Sequence, residues 1–156
     1  MSAIALRRAT MEDAALLWKW ANDPEVRGNA FQSTEILWES HCEWLQRRLS
    51  SNGCRIWILL VDGLPAGQVR YGRSGDSADI DISVAADQRG KGIGTELLRR
   101  STEAAFKELC VRSLIGWVKA ENAASRKSFE RAGFRLAETT ERNGCRCVRY
   151  ELACTL

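Results

Sequence analysis

The chain has a single histidine, His41, and its six cysteines, at positions 42, 54, 110, 145, 147 and 154, include no Cys-x-x-Cys pair. A metal centre needs clustered ligands at regular spacing, so this pattern offers no zinc or other metal site. Free thiols in a reducing cytoplasm are expected instead. Cys145 and Cys147 fall two apart in an expected strand, so they share a face and pack as small apolar groups. No apolar stretch approaches the ~20 residues of a membrane-spanning helix. The opening residues Met1 to Arg7 lack the pattern of a signal peptide. Net charge is only +3 and no long basic run is present, which argues against a nucleic-acid partner. Internal repeats, low-complexity segments and linkers are also missing. The 45% hydrophobic and 28% charged fractions suit one cytoplasmic domain over residues 1–156, long enough to bury a core.

Two glycine motifs are absent as well, and their absence sharpens the reading of the glycine stretch that is present. Val84 is followed by Ala85-Ala86-Asp87-Gln88-Arg89-Gly90-Lys91-Gly92-Ile93-Gly94. A P-loop would need a glycine five before Gly90 and Ser or Thr after the lysine. A dinucleotide fingerprint would need glycine where Thr95 stands. What remains is a strand-like run, Ala78 to Val84, then alternate glycines with two cations, then a helical pattern through Ile93, Leu97, Leu98, Ala105, Phe106 and Leu109. Glycine lets backbone N–H groups turn to one side. They join the unpaired donors and positive dipole end of the following helix, forming a concave site for a phosphate or pyrophosphate.

The remaining elements follow from local signals. Ile4 to Arg8 reads as a strand. Thr10 with Asp13 caps a helix carrying Ala14, Leu17, Trp18 and Ala21, which ends before Asp23-Pro24. A loop is expected over Glu25 to Gln32, and then Ser33 or Thr34 caps a helix with Ile36, Leu37, Trp44, Leu45 and Leu49. Cys54 to Val61 and Pro65 or Ala66 to Tyr71 form a hairpin about Asp62-Gly63. Ser74-Gly75-Asp76 turns into Ala78–Ala85. After the long helix come a strand, Ser113 to Val118, a helix, Asn122 to Ala132, closed by Gly133, and a last hairpin, Phe134 to Arg142 with Cys145 to Leu152. This order predicts an α/β (mixed α+β) domain: one mixed, mostly antiparallel sheet of six to seven strands with helices on both faces. The strands joined by the long helix should be parallel.

Arg89-x-x-Gly92-x-Gly94 after a strand ending in Val84 resembles the acetyl-CoA loop of the GNAT acetyltransferase family. The resemblance extends over about Ile4 to Leu152, through the strand order and through Asn122-Ala123-Ala124-Ser125 followed by Gly133-Phe134. It implies coenzyme A on Val84, Arg89, Gly90, Lys91, Gly92, Ile93 and Gly94, with Asn122, Ser125 and Phe129 beside the cofactor arm. Val84 would pair its backbone with the pantetheine in a gap between splayed parallel strands, and its amide would polarise the thioester carbonyl.

Transfer of acetyl to an amine requires the amine to be neutral, so a carboxylate base is sought. Asp79, Asp81 and Ser83 share one strand face, and either aspartate is a candidate, Asp79 first. Two acids at i and i+2 also raise one another's pKa. Many relatives carry a tyrosine acid where this chain has Phe129, which cannot donate; Ser125, Ser128 or solvent would replace it.

For the acceptor, the two segments around Trp18–Arg27 and Ser33–Trp44, with Gly67 to Tyr71, resemble the acetyltransferases of bacterial nonulosonic-acid synthesis, which act on the 4-amino group of a UDP-linked deoxy-amino-sugar. The same domain also occurs fused to the sugar-nucleotide hydrolase of that pathway. The resemblance makes Asn22, Arg27, Trp38, His41, Gln68 and Arg70 candidates for a small-molecule amine, possible as a sugar nucleotide. Trp38 and His41 share a helical face at i, i+3, and Gln68 and Arg70 share a strand face. Core roles for Trp18, Trp44 and Trp57, and a structural role for His41, are the competing readings. A protein N-terminal acetyltransferase and a non-catalytic acetyl-CoA-binding domain stay open as alternatives, and so does a homodimer.

Overall fold

In the computed structural model, which describes residues 2–155, seven strands form one sheet in the order β1-β2-β3-β4-β5-β7-β6. They are β1 (Ile4–Arg8), β2 (Cys54–Val61), β3 (Leu64–Ser74), β4 (Ser77–Val84), β5 (Ser113–Lys119), β6 (Arg135–Arg142) and β7 (Cys145–Ala153). The helices are α1 (Ala14–Ala21), α2 (Pro24–Asn29), α3 (Trp38–Ser50), α4 (Ile93–Leu109) and α5 (Ala123–Arg131). Only β4 and β5, joined through α4, run parallel; every other neighbouring pair is antiparallel. The mixed sheet and its two helical layers are as the residue pattern implied.

Strand alternation divides the core in two. Trp57 and Leu59 of β2, Val69 and Tyr71 of β3, and Ala78 and Ile80 of β4 face α4, against Leu97, Leu98, Ala105 and Phe106. Cys54, Ile56 and Ile58 face the other way, against Leu17, Trp20 and Leu45 of α1 and α3. Each Val, Leu, Ile or Phe among them contributes about 1.5–3 kcal/mol of transfer free energy. The buried Tyr71 hydroxyl meets Ser101 Oγ at 2.6 Å, so its polar atom has a partner inside the core.

Both hairpins turn as their dipeptides require: Asp62 and Gly63 have φ of 51° and 83°, Asn143 and Gly144 of 52° and 76°, the left-handed pairs of a tight turn. Thr10 and Asp13 form the expected capping box, and Arg7 holds Asp13 at 2.8 Å. Two expectations are corrected. The stretch after Asp23 is not all loop: Asp23 caps α2 through the Glu25 amide at 3.0 Å, with Pro24 in its first turn. Conversely, α3 starts at Trp38, not after Ser33 or Thr34, because the Ile36 backbone is held by α1. Trp18 Nε1 and Asn22 Nδ2 both donate to Ile36 O, and Ile36 N donates to Asn22 Oδ1, each at 2.8 Å. β3 is also longer than expected at both ends.

Candidate active site

β4 pairs with β5 only from Ser77 to Ile80, opposite Ser113 to Gly116, while β5 continues against β7 as far as Lys119. Beyond Ile80 the two parallel strands part. Ala85 N donates to Ala66 O at 2.8 Å. In that antiparallel register Gly67 and Val84 are a non-hydrogen-bonded pair, as are Val69 and Ile82. The N–H and C=O groups of Ile82 and Val84 therefore point away from β3, into the gap. Phe129 sits where the strands part. Its ring lies so close over Gly116 that any Cβ there would clash, and it stacks on Tyr150 at 5.5 Å and meets Phe134 edge-on at 5.1 Å. Phe129 thus both packs and lines a cleft of about 920 Å³ that runs through the gap.

The glycine stretch closes one end of this cleft. Gly90 and Gly92 have φ of 78° and 79°, which a side chain rarely tolerates. Gly92 is also the N-cap of α4, and no side chain caps that helix, so its first amides keep unmatched donors at the cleft. Gly94 has a different cause: an added Cβ would stand 2.5 Å from Ser128 Oγ, so α4 and α5 approach closely only with glycine there. Gly90, Gly92, Ile93 and Gly94 line the cleft; Lys91 is exposed and outside it. Arg89 also lines it, but its guanidinium already holds Asp23 at 2.9 Å and Glu25 at 2.7 Å. Burial raises the Asp23 carboxyl, yet the hydrogen bonds from Arg89 and the Glu25 amide outweigh it and leave the pKa below the usual value. On the far side of the gap Lys119 Nζ donates to Gly28 O at 3.1 Å. α2 is therefore tied at one end beyond β4 and at the other to the end of β5, as a strap over the opening. The residue pattern missed this strap; Asp23-Pro24-Glu25, a capping signal, was its trace.

Asn122 caps α5, accepting from Ser125 N and donating to Ser125 Oγ, each at 3.2 Å, and both residues line the cleft. On the opposite wall, Gln68 Nε2 donates to Asp81 Oδ2 at 3.1 Å and Ser83 Oγ at 3.0 Å. Arg70 approaches Asp81 at 3.6 Å and lies 4.8 Å over the Trp44 ring. Asp81 lines the cleft, whereas Asp79 does not; it opens into a smaller basin next door. Residues two apart on a strand stand roughly 6–7 Å apart, enough to leave Asp79 in the basin alone while Asp81 borders both chambers. Asp79, ranked first on the strand face, thus lies outside the cleft that Asp81 lines. Loss of surrounding water raises the Asp79 pKa, against the pull of Arg142; Asp81 is not among the causes.

The other acceptor candidates are largely engaged within the protein. Asn22 is committed to Ile36 and does not line the cleft. Arg27 does line it, but donates to Ala21 O at 2.6 Å and Gln32 O at 2.9 Å. Trp38 is exposed outside the cleft, packed edge-on to Trp18 at 5.2 Å. His41 reaches the cleft wall at 3% exposure. Its Nε2–H donates to Ala14 O at 3.0 Å, and its ring lies between Trp38 and Trp44. Burial lowers its pKa, with the Ala14 bond opposing. Arg47, Trp117 and Lys127, which no motif marked, also line the cleft.

Residues 4–135 match the family model described as the acetyltransferase (GNAT) domain. An aminoglycoside N(6')-acetyltransferase type 1 of Klebsiella pneumoniae is 25% identical over 148 residues, covering 85% of this chain and 74% of that one. The acetyltransferase PseH of Campylobacter jejuni is 22% identical, covering 79% of this chain and 77% of its own. Among solved structures, a spermidine N-acetyltransferase of Vibrio cholerae, in complex with CoA and spermine, superposes with a TM-score of 0.84 at 18% identity, over 96% of this chain and 95% of that one.

Proposed function

The chain belongs to the GNAT acetyltransferase family and is an acetyl-CoA-dependent N-acetyltransferase; from that premise we propose that its acceptor is the primary amine of a small anionic molecule, the 4-amino group of a UDP-linked deoxy-amino-sugar. The observation that carries this reading is the charge of the cleft wall. Apart from Arg89, Lys127 and Arg131 at the α4 and α5 end, Arg27, Arg47 and Arg70 line it against only Glu25 and Asp81. Glu25 is matched by Arg89 and Asp81 is approached by Arg70, so a positive surplus remains. An aminoglycoside or polyamine, with several ammonium groups, would be repelled there, whereas an acceptor bearing phosphate would be attracted. The resemblance of the Trp18–Arg27 and Ser33–Trp44 segments points the same way. A peptide N-terminus needs an open groove, and the α2 strap, tied by Arg89 and Lys119, opposes one.

The residues at the α4 end fit the coenzyme. The positive-φ glycines and uncapped amides of α4 suit a pyrophosphate, and the unpaired backbone edge at Ile82 and Val84 suits the amides of the pantetheine arm. Bound acetyl-CoA supplies an acetyl group activated by a thiolate leaving group. Asp81, held by the Gln68 amide, accepts the proton of the acceptor ammonium, directly or through water. The Val84 N–H, turned into the gap, is the donor for negative charge developing on the acyl oxygen. Ser125 Oγ accepts from Asn122 and keeps its own O–H free to hydrogen-bond the departing thiolate, which takes its proton from solvent.

The test is thiol release from acetyl-CoA with three acceptors: a UDP-4-amino-4,6-dideoxyhexose, a free aminoglycoside and a peptide beginning with alanine. Turnover with the sugar nucleotide alone is expected. Preference for the aminoglycoside or the peptide would overturn the acceptor reading.

A further inference from the structure

The smaller basin beside the cleft, about 390 Å³ on the same sheet face, has a composition that catalysis at Asp81 does not explain. Arg48, Arg70, Arg73 and Arg142 border it against two carboxylates, Asp79 and Asp81. Gathering four like charges is unfavourable, and two acids offset only two of them. Its floor includes Gly72, with the Arg48 guanidinium over it: an added Cβ would stand in ordinary contact, 3.4 Å from Arg48 Nη1.

The faces of three guanidinium groups are already occupied. Arg142 stacks over Phe31 at 5.1 Å and Trp117 at 4.4 Å, and Trp44 carries Arg70 at 4.8 Å and Arg48 at 5.7 Å. Their N–H edges are less engaged. Among the described residues Arg48 shares one with the Cys54 thiol, Arg70 approaches Asp81 at 3.6 Å and Arg142 makes no such bond, while Arg73 beside them donates from Nε to Gly75 O. A guanidinium oriented by a stacked ring, with its donor fork unfilled, is preorganised for phosphate oxygens.

We propose that this basin is a second subsite of the active site, taking the phosphate or diphosphate of an acceptor whose amine lies at Asp81. The proposal rests on the acceptor class given above and assigns that acceptor's anionic group a place. Arg70, Asp81 and Trp117 line both chambers, so one molecule reaches both.

The experiment titrates UDP, and uridine as control, into the full chain saturated with coenzyme A. It compares the wild type with the double variant Arg48→Gln/Arg73→Gln and with Arg73→Lys. UDP is expected to bind and uridine not. The double variant should weaken UDP about tenfold or more, and Arg73→Lys less, because a charge-assisted fork is lost in one and the charge kept in the other. Unchanged coenzyme A affinity and melting temperature exclude a folding defect. No UDP binding to the wild type, or equal binding to the double variant, overturns the subsite. The acceptor reading fails separately: if UDP binding is lost in the variant but no UDP-amino-sugar is acetylated, the subsite stands and that acceptor falls. If the sugar nucleotide is acetylated with the same KM in both proteins, the acceptor stands and the subsite falls.

Discussion

At the α4 end of the cleft the functional groups are backbone: two left-handed glycines, the uncapped amides of a 17-residue helix and an unpaired strand edge. At the Asp81 end they are side chains, brought by α1, α2, α3, β3, β4 and β5 to one sheet face. A backbone site depends on few residue identities and on their order along the chain. A side-chain site depends on which elements meet, and tolerates exchange of its members. One scaffold can therefore keep its coenzyme while its acceptor changes, as relatives named for aminoglycosides and for spermidine illustrate.

The largest expected effect breaks the backbone end. Gly92→Glu places a carboxylate in an anion site and forces a side chain into φ of 79° at about 1–2 kcal/mol of strain. Nothing lies within 4 Å of the added Cβ, so the fold survives. Coenzyme A binding, measured by calorimetry, should fall by about 100-fold or more, since a repulsive charge is set beside the amide donors in a partly desolvated site. Retained affinity in a folded variant would remove the glycine stretch from the coenzyme site.

The next tests the side-chain end. Asp81→Asn should lower kcat about 100-fold, with the deficit shrinking as pH rises and free amine becomes available without a base. Asp79→Asn, in the neighbouring basin, should cost far less. Rate profiles for both variants across pH decide the order; the reverse result would restore Asp79 as the base.

These two ends were unequally legible in the chain. The glycine loop, the Asp-Gly and Asn-Gly hairpins and the Asn122 cap are local signals, each fixed by residues within a few positions, and the fold follows from them. The division between Asp79 and Asp81 is not local: both are on the right face, and only the parting of β4 from β5 beyond Ile80 brings Asp81, and not Asp79, to the cleft. Asn22 and Arg27 are polar residues in a pocket-forming segment, yet their partners are carbonyls of Ala21, Gln32 and Ile36, which no side-chain pattern reports. α2 was concealed because a six-residue helix has no periodicity to read. Cys145 and Cys147 do share a face as alternation requires, and Cys147 is fully buried.

The smallest effect concerns His41, which has a ligand's chemistry in a structural setting. His41→Gln keeps a donor for Ala14 O but loses the ring between Trp38 and Trp44, costing about 1 kcal/mol of stability. Turnover should stay within about twofold, because its Nε2 proton faces the protein and not an acceptor. The pH dependence separates the roles further. Burial lowers the folded pKa below the unfolded value of about 6.5, so the unfolded chain takes up the proton first as pH falls. The contribution of His41 to stability is therefore full above about pH 6.5 and declines from there down through the folded pKa. Urea unfolding should show that decline in the wild type and not in His41→Gln. A variant with intact stability and lost turnover would instead make His41 part of the acceptor site.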